Sequence, residues 1–166
     1  TVCTMIAAPL AGLLIGRFGP RRVLLTGLFL QIAAMITFAV LIMANGAIFP
    51  FLYLLPAMMA AGTGMGLSFT PLSHGVLTSV PESAADEASG MSNSSRELGG
   101  VFGVAIGGLV FESGGAVTSP EMFGSQLVPA LFVLAGMLTL GWISIALLGR
   151  GHSRQAASAD QVQPVQ

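Results

Sequence analysis

The amino-acid sequence predicts an all-α integral membrane protein, built as a bundle of about five transmembrane helices. Of its 166 residues, 54% are hydrophobic and only 8% are charged, and the mean hydropathy is +0.85. A soluble domain carries roughly 25% charged residues, so this chain has too few charges to cover a globular surface. It also contains several segments of about 20 mostly apolar residues, the length that crosses roughly 30 Å of hydrocarbon.

The apolar segments predict where the chain crosses the bilayer. The first, residues 1–15, is interpreted as the second half of a helix whose start is missing, because the chain opens inside an apolar run. The other spans are predicted at 23–44, 48–72, 91–111 and 127–148. The transmembrane bundle therefore covers residues 1–149. Residues 150–166 are rich in Gln, Ser and Ala and lack apolar periodicity, which predicts a disordered cytoplasmic tail.

The basic residues predict the orientation of the bundle. The chain has no lysine, and its arginines are Arg17, Arg21, Arg22, Arg96, Arg150 and Arg154. If the loop 16–22 is cytoplasmic and each helix crosses once, every arginine lies on the cytoplasmic side, as the positive-inside rule requires. Arg96, near one end of the fourth span, is expected to snorkel to the headgroups. The sequence thus predicts a multi-pass protein of the plasma (inner) membrane with a cytoplasmic C terminus.

The sequence disfavours catalysis and cofactor binding. The predicted spans hold no Asp or Lys, and no Glu or Arg away from their ends, whereas intramembrane proteases and metal-dependent lipid enzymes need such groups within the bilayer. A single cysteine, Cys3, argues against a thiolate metal site. The net charge of −1 gives no attraction to nucleic acid. We therefore expect no enzyme activity, cofactor, metal or nucleic-acid partner, with membrane lipid as the surrounding medium.

Two glycine series predict helix–helix contacts, because small residues let helix backbones approach one another in lipid. Gly62 and Gly66 lie four residues apart in the third span, where the alternative interpretation is a point of bending. A phosphate loop is disfavoured here, since the chain has no lysine. Gly99, Gly103 and Gly107 repeat at the same spacing in the fourth span. We expect that helix to form a moving interface, with a static contact as the alternative.

The loop after the first span is the most informative motif. Its residues are Gly12, Leu14, Arg17, Gly19, Arg21 and Arg22. Arginines beside a glycine-rich turn are either an orientation signal alone or a gate, in which they bind helix-end carbonyls and neighbouring carboxylates in one conformation only. The stretch resembles the cytoplasmic loop motif of the major facilitator superfamily, Gly-x-Leu-x-Asp-Arg-x-Gly-Arg-Arg/Lys. Gly16 replaces the aspartate of that motif, and Pro20 replaces the first arginine of its closing pair.

A second resemblance covers residues 62–110. The glycine run at 62–66, the segment 88–93 and the segment 96–103 are similar to late helices of the fourteen-helix drug:proton antiporter branch of that superfamily. The resemblance implies that the chain is the C-terminal helix bundle of such a transporter, and that a missing N-terminal half completes it. It further implies that the third span lines a substrate cavity, while the first and fourth spans form the interface between the halves.

The function implied by this resemblance is proton-coupled efflux of drugs or other amphipathic small molecules by alternating access. Candidate cavity residues carry soft, aromatic or hydroxyl groups that suit such cargo. They are Tyr53, Met59, Thr63, Met65 and Ser68. Two alternatives stay open. One is an importer or metabolite exporter of the same superfamily, and the other is a membrane scaffold without transport, which docks partners through a long acidic loop at 73–95.

Overall fold

The chain is helical through nearly all of the part that the structure describes. This computed structural model describes residues 2–46 and 50–159. Within these residues there are five α-helices, two short 3₁₀ helices and no strand. The α-helices are α1 (Val2–Phe18), α2 (Pro20–Asn45), α3 (Leu55–Thr78), α4 (Ala85–Glu112) and α5 (Pro120–Ala159). The all-α fold class predicted from the composition is therefore confirmed.

The helices extend beyond the predicted spans at most of their ends. α1 and α2 flank Gly19 directly, so the loop predicted at 16–22 is reduced to one residue. The third span, predicted at 48–72, is a 3₁₀ turn at Phe51–Tyr53 followed by α3, while residues 47–49 lie outside the described residues. Hydropathy marks only the part of a helix that suits hydrocarbon. The polar turns at its ends keep the same backbone hydrogen bonds and lengthen the helix.

The acidic connection predicted at 73–95 is mostly helical. α3 runs to Thr78 and α4 begins at Ala85, which leaves a short link that contains Pro81 and the 3₁₀ turn Glu82–Ala84. Two carboxylates of that connection instead lie in the first turn of α4, where negative charge favours the helix dipole. The connection between α3 and α4 is therefore limited to residues 79–84.

α5 is the longest described helix and passes the end of the last predicted span at 148. It begins at Pro120, whose missing N–H costs little in a first turn, and it continues to Ala159. The segment 150–159, which the composition predicts to be disordered, is therefore helical here. It contains no proline, and it includes one Gln and three Ala residues, which favour a helix. Residues 160–166 of the predicted tail lie outside the described residues.

Among the described residues, three helical segments are long and apolar enough to cross a membrane, namely Pro20–Asn45, Phe51–Thr78 and Pro120–Leu147. α1 holds a shorter apolar segment, Pro9–Phe18. α4 has 28 residues and several charged side chains in its first half, and its length of about 42 Å exceeds the hydrocarbon thickness. The crossings by α1 and α4 stay predictions.

Helix α2 organises the packing. It contacts both α3 and α5, α1 packs against α3, and α4 contacts α5 and α3 without burying any residue of its own. α2 and α3 cross where one glycine meets another. A Cβ added to Gly27 would lie 2.8 Å from the carbonyl oxygen of Gly64, and one added to Gly64 would lie 2.6 Å from that of Gly27. These distances leave no room for a methyl group, so the glycine pair sets how closely the two helices approach.

The junction of α1 and α2 depends on a single residue. Gly19 has φ 82° and ψ 153°, a backbone conformation that is almost restricted to glycine. Pro20 follows as the first residue of α2, where its fixed φ suits a helix start. The chain therefore passes from one helix to the next without a loop, and Arg17, Arg21 and Arg22 are held at one end of the bundle.

Two long-range hydrogen bonds attach this end of α2 to α5. Arg21 donates from a guanidinium nitrogen to the carbonyl oxygen of Ala146 at 2.6 Å. Trp142 donates from Nε1 to the carbonyl oxygen of Leu25 at 3.1 Å. The later part of α5 therefore lies at the same end of the bundle as the α1–α2 junction, which is the arrangement that the arginine pattern requires.

Candidate functional site

A cavity of about 840 Å³ lies between α2, α3 and α4. Its volume falls in the range of small-molecule sites, roughly 300–1,000 Å³. The lining is mainly apolar, with α5 adding one leucine, and most of it comes from α3 and α4. The apolar residues used below are Leu28, Met65, Phe69, Leu72 and Met91, and the polar ones are Gln31, Ser68, Ser73, Ser92, Ser95 and Arg96.

Soft side chains form much of the apolar wall. Met65 on α3 is 48% exposed and Met91 on α4 is 73% exposed, so both thioethers keep rotational freedom beside the cavity. Methionine adapts to irregular apolar shapes because it is unbranched and polarizable. Such a wall can accommodate apolar molecules of differing outline without a fixed geometric match.

A polar pair lies directly beside the α2–α3 crossing. Gln31 donates from Nε2 to the Ser68 hydroxyl at 3.0 Å, and that hydroxyl donates to the carbonyl oxygen of Gly64 at 2.8 Å. Gln31 follows Gly27 by four residues, and Ser68 follows Gly64 by four, so each pair shares one helix face. The close glycine contact thus brings two polar side chains together at the cavity wall.

Arg96 supplies the positive charge of the cavity. Its guanidinium carbon lies 4.5 Å from the centre of the Phe69 ring, a cation–π distance, and the side chain hydrogen-bonds the Asn93 amide oxygen. The Glu97 carboxylate is 3.9 Å away and 72% exposed. The Phe69 face therefore offers the cation an attractive partner at the cavity, and the expectation that Arg96 reaches the headgroups stays a prediction.

The cavity residues predicted from sequence fall into two groups. Met65 and Ser68 line the cavity. Tyr53, Met59 and Thr63 do not, and the Thr63 hydroxyl bonds the carbonyl oxygen of Met59 in its own helix at 2.8 Å. A contribution of these three residues to a larger cavity in a longer protein stays a prediction.

The predicted interface glycines have contrasting surroundings. Gly66 is buried in α3, and Gly62 has an interaction of its own. On α4, a Cβ added to Gly107 would meet Leu134 of α5 at 3.3 Å. A Cβ added to Gly99 or to Gly103 would meet no described atom within 4 Å beyond the local helix. The interface role of these glycines stays a prediction.

The loop motif lies at the helix junction. Gly12 and Leu14 are exposed on α1, and the Arg17 guanidinium lies 5.8 Å from the Phe18 ring. Arg21 binds a backbone carbonyl of α5, as described above, whereas the Arg22 carbonyl accepts a hydrogen bond from Thr26. Within the described ranges, none of these arginines pairs with a carboxylate. Gating by the motif stays a prediction.

Most of the residues that line the cavity were not selected from the sequence, and Gln31, Phe69 and Arg96 are the most informative of them. Gln31 was visible as a polar interruption in an apolar span, and Arg96 as a charge near the start of another. Phe69 gave no signal, because its importance comes from the helix that packs across it. Among the described residues, no group of three or more His, Cys, Asp or Glu side chains is placed to hold a metal ion.

Comparison with known proteins gives several matches. The sequence fits the family model of the Major Facilitator Superfamily over residues 1–164. It is 34% identical over 114 residues to the uncharacterized transporter YebQ of Escherichia coli (strain K12), which covers 69% of this chain and 24% of that protein. It is 28% identical over 163 residues to the drug efflux pump JefA of Mycobacterium tuberculosis (strain H37Rv), which covers 95% of this chain and 31% of that protein.

A third relative is the multidrug resistance protein Stp of the same Mycobacterium strain, 30% identical over 105 residues, or 63% of this chain and 19% of that protein. No solved structure gives a significant match. The chain therefore spans about a quarter of YebQ and about a third of JefA.

These matches agree with the resemblance to the drug:proton antiporter branch. They confirm that the chain is part of a membrane transporter rather than an enzyme. With its long apolar helices, the chain is a multi-pass integral membrane protein. The match over residues 1–164 covers almost the whole sequence, and on that ground the chain belongs to the Major Facilitator Superfamily.

Proposed function

We propose that this chain is the C-terminal helical part of a proton-driven transporter that exports amphipathic small molecules by alternating access. The transporter lies in the plasma membrane with its C terminus in the cytoplasm, and an N-terminal half completes the translocation pathway. The observation that carries the proposal is the cavity of about 840 Å³ between α2, α3 and α4, with an apolar wall and a few polar side chains.

The chemistry of this cavity supports an amphipathic cargo. Small-molecule sites combine apolar surface with a small number of polar groups that fix orientation. Here the thioethers of Met65 and Met91 provide adaptable apolar contact, while Gln31 and Ser68 provide hydrogen-bonding groups beside the α2–α3 crossing. The printed names of JefA, a drug efflux pump, and Stp, a multidrug resistance protein, favour export of varied compounds.

The surface of α4 supports a movable contact with another bundle. Alternating access requires two groups of helices to rock against each other around a central site. α4 buries none of its described residues, and Gly99 and Gly103 leave open space at its surface. A glycine surface of this kind allows close approach of a second helix backbone, which in lipid is a main source of helix association.

The arginines support the proposed orientation and a gate at the cytoplasmic end. Arg21 bonds a backbone carbonyl of α5 at 2.6 Å, so the α1–α2 junction is attached to the far helix of the bundle by a charge-assisted hydrogen bond. Such a bond can exist in one conformation and break in the other. The positive-inside rule places this end of the bundle in the cytoplasm.

The function is tested by dye accumulation in cells that express the full-length transporter. We expect several-fold lower accumulation of amphipathic fluorescent dyes than in cells with empty vector, and a protonophore should abolish the difference. Higher accumulation that depends on the proton gradient would instead establish import. Equal accumulation with and without the protonophore would contradict transport and would favour a scaffold.

A pair of tryptophan substitutions tests whether this cavity is the transport site. Met65→Trp fills part of the cavity and should reduce export at least tenfold, because cargo and indole compete for the same volume. Met137→Trp on α5 is the matched control, since Met137 is 40% exposed and is not among the residues that line the cavity. Equal export by the two variants at equal abundance would place the site elsewhere.

A further inference from the structure

We propose that Arg96 sets the charge preference of the transporter by binding the anionic group of an amphipathic substrate inside the cavity. The proposal rests on the function proposed above and narrows the cargo to molecules with an apolar body and a carboxylate, sulfonate or phosphate. Arg96 is then a specificity-determining residue. The juxtaposition that carries it is one guanidinium beside hydroxyl groups in a mainly apolar cavity.

Arg96 lies in the first half of α4, where a contact with α3 holds its side chain. It precedes the last residue of the helix, Glu112, by about 24 Å at 1.5 Å per residue. On the facing helix, Phe69 follows Leu55 by about 21 Å at the same rise. The guanidinium lies 4.5 Å from the centre of the Phe69 ring, so contact across the two helices fixes its depth.

The charge of Arg96 is not balanced within the cavity. Among the described residues that line it, Arg96 is the only charged side chain. The Glu97 carboxylate is 3.9 Å from Arg96 but is 72% exposed and does not line the cavity. A surface ion pair of this kind contributes little. The described lining therefore carries one formal positive charge, which favours an anionic ligand over a cationic one.

The neighbours of Arg96 complete a site for an anionic group. Ser92 and Ser95, on the same helix, line the cavity beside it, and Ser73 contributes from α3. Guanidinium and hydroxyl groups together are suitable donors for carboxylate, sulfonate or phosphate oxygens. Phe69 and Asn93 hold the guanidinium from one face and one edge. A planar guanidinium has five N–H donors, so further donors remain for a ligand.

The rest of the cavity suits the apolar body of the same ligand. Met65, Leu72 and Met91 line it with apolar surface. Gln31 and Ser68 lie together at the α2 side, where they can accept or donate a hydrogen bond to a second polar group. The cavity thus combines one guanidinium with apolar surface, the pattern that recognises an amphipathic anion.

The test compares two dyes that share a xanthene skeleton and differ in charge. Fluorescein carries an anionic carboxylate, and rhodamine 123 is a cation in which that carboxylate is a methyl ester. Dissociation constants are measured by fluorescence anisotropy with the purified full-length transporter in a neutral detergent. We expect the wild-type protein to bind fluorescein more tightly than rhodamine 123.

Substitution of Arg96 should change this preference selectively. Arg96→Gln should weaken fluorescein binding about tenfold or more, because a charge-assisted hydrogen bond is lost, while rhodamine 123 binding changes less than twofold or becomes tighter. Arg96→Lys should restore much of the fluorescein affinity, since it keeps the charge. Glu97→Gln is the control on the same helix and should change neither dissociation constant more than twofold.

Two outcomes would overturn the proposal. One is a wild-type preference for rhodamine 123, which is also measurable when the Arg96 variants do not fold. The other is that Arg96→Gln weakens the binding of both dyes equally, which would show that Arg96 has a structural role or pairs with a carboxylate from another helix. Energised export of a cationic dye without any anion preference would leave the proposed function intact and reject Arg96 as its selector. Absence of energised export would reject the function itself.

Discussion

Gly64 on α3 and Gly103 on α4 are both glycines of helices predicted to lie in lipid, yet their surroundings differ. A Cβ at Gly64 would lie 2.6 Å from the carbonyl oxygen of Gly27, whereas a Cβ at Gly103 would meet no described atom within 4 Å beyond its local helix. α3 buries a row of small residues, including Ala57, Gly64 and Ser68. α4 buries none of its described residues.

This difference separates two uses of glycine. In the α2–α3 crossing, glycine removes side chains where two backbones already touch, so it contributes to the fold of the bundle. At Gly99 and Gly103 on α4, the same residue type leaves open space, with no described atom within 4 Å beyond the local helix. We infer that this second surface serves contact with another part of the transporter. Substitutions in the two regions should therefore affect different properties, namely stability in the first and transport in the second.

The largest effect is expected at the crossing. Gly64→Leu should abolish the folded protein, because even a methyl group would collide with backbone atoms of α2 and such overpacking costs about 3 kcal/mol or more. The measurement is the amount of monodisperse full-length transporter in detergent-solubilised membranes. The matched control is Gly75→Leu on the same helix, where a Cβ has open space. Equal amounts of the two variants would contradict the close crossing.

The next effect is on transport alone. Gly103→Leu should abolish export and leave the abundance of the protein unchanged, because the leucine occupies the surface that another helix approaches. Val104→Leu is the control, since Val104 is 79% exposed and already carries a branched side chain. Export is measured as dye efflux per transporter molecule. Normal efflux by Gly103→Leu would contradict the inference that this surface of α4 contacts another helix.

A smaller effect is expected at the junction of α1 and α2. Gly19→Ala should destabilise the protein by about 1–3 kcal/mol, because φ 82° with ψ 153° strains any residue that has a Cβ. Gly16→Ala is the control within α1, where space is open and alanine favours a helix by up to about 1 kcal/mol. The midpoint of thermal unfolding, measured on the purified transporter, should be lower for Gly19→Ala than for Gly16→Ala. An unchanged midpoint for Gly19→Ala would mean that the turn at the α1–α2 junction can adopt another conformation without a loss of stability.

The smallest effect concerns the bond between α2 and α5. Trp142→Phe removes the hydrogen bond to the carbonyl oxygen of Leu25 and should lower stability by about 1 kcal/mol. The same thermal unfolding measurement applies, with Leu140→Met as the control because Leu140 is 67% exposed. An unchanged midpoint for Trp142→Phe would show that the indole bond adds nothing to the attachment.

The sequence predicted what depends on local composition. The apolar spans at 23–44 and 127–148 lie inside α2 and α5, because hydropathy and helix length are properties of one segment. The family was also recognisable, since the loop motif and the segment around Arg96 are read along the chain. The helix at 150–159 was not predicted, because low apolar periodicity does not exclude a helix that continues from a spanning segment.

The sequence could not predict which residues meet across helices. Gly27 is an isolated glycine among aliphatic residues, and only the register of α2 against α3 makes it the partner of Gly64. Likewise, Phe69 and Arg96 lie on different helices, and nothing in either segment indicates that ring and guanidinium face each other. Met65 was selected for its chemistry and does line the cavity, whereas Met59 has the same chemistry on a different helix face.

The contrast between a fixed crossing and a moving face is tested most directly by the reactivity of a thiol at Gly103. Gly103→Cys is introduced into the full-length transporter without other reactive cysteines, and its labelling by N-ethylmaleimide is timed in energised membranes with substrate and again after a protonophore. We expect the labelling rate to change several-fold between the two conditions, because the proposed movement covers the α4 surface in one conformation and opens it in the other. The same rate in both conditions, from a variant that still exports dye, would contradict it.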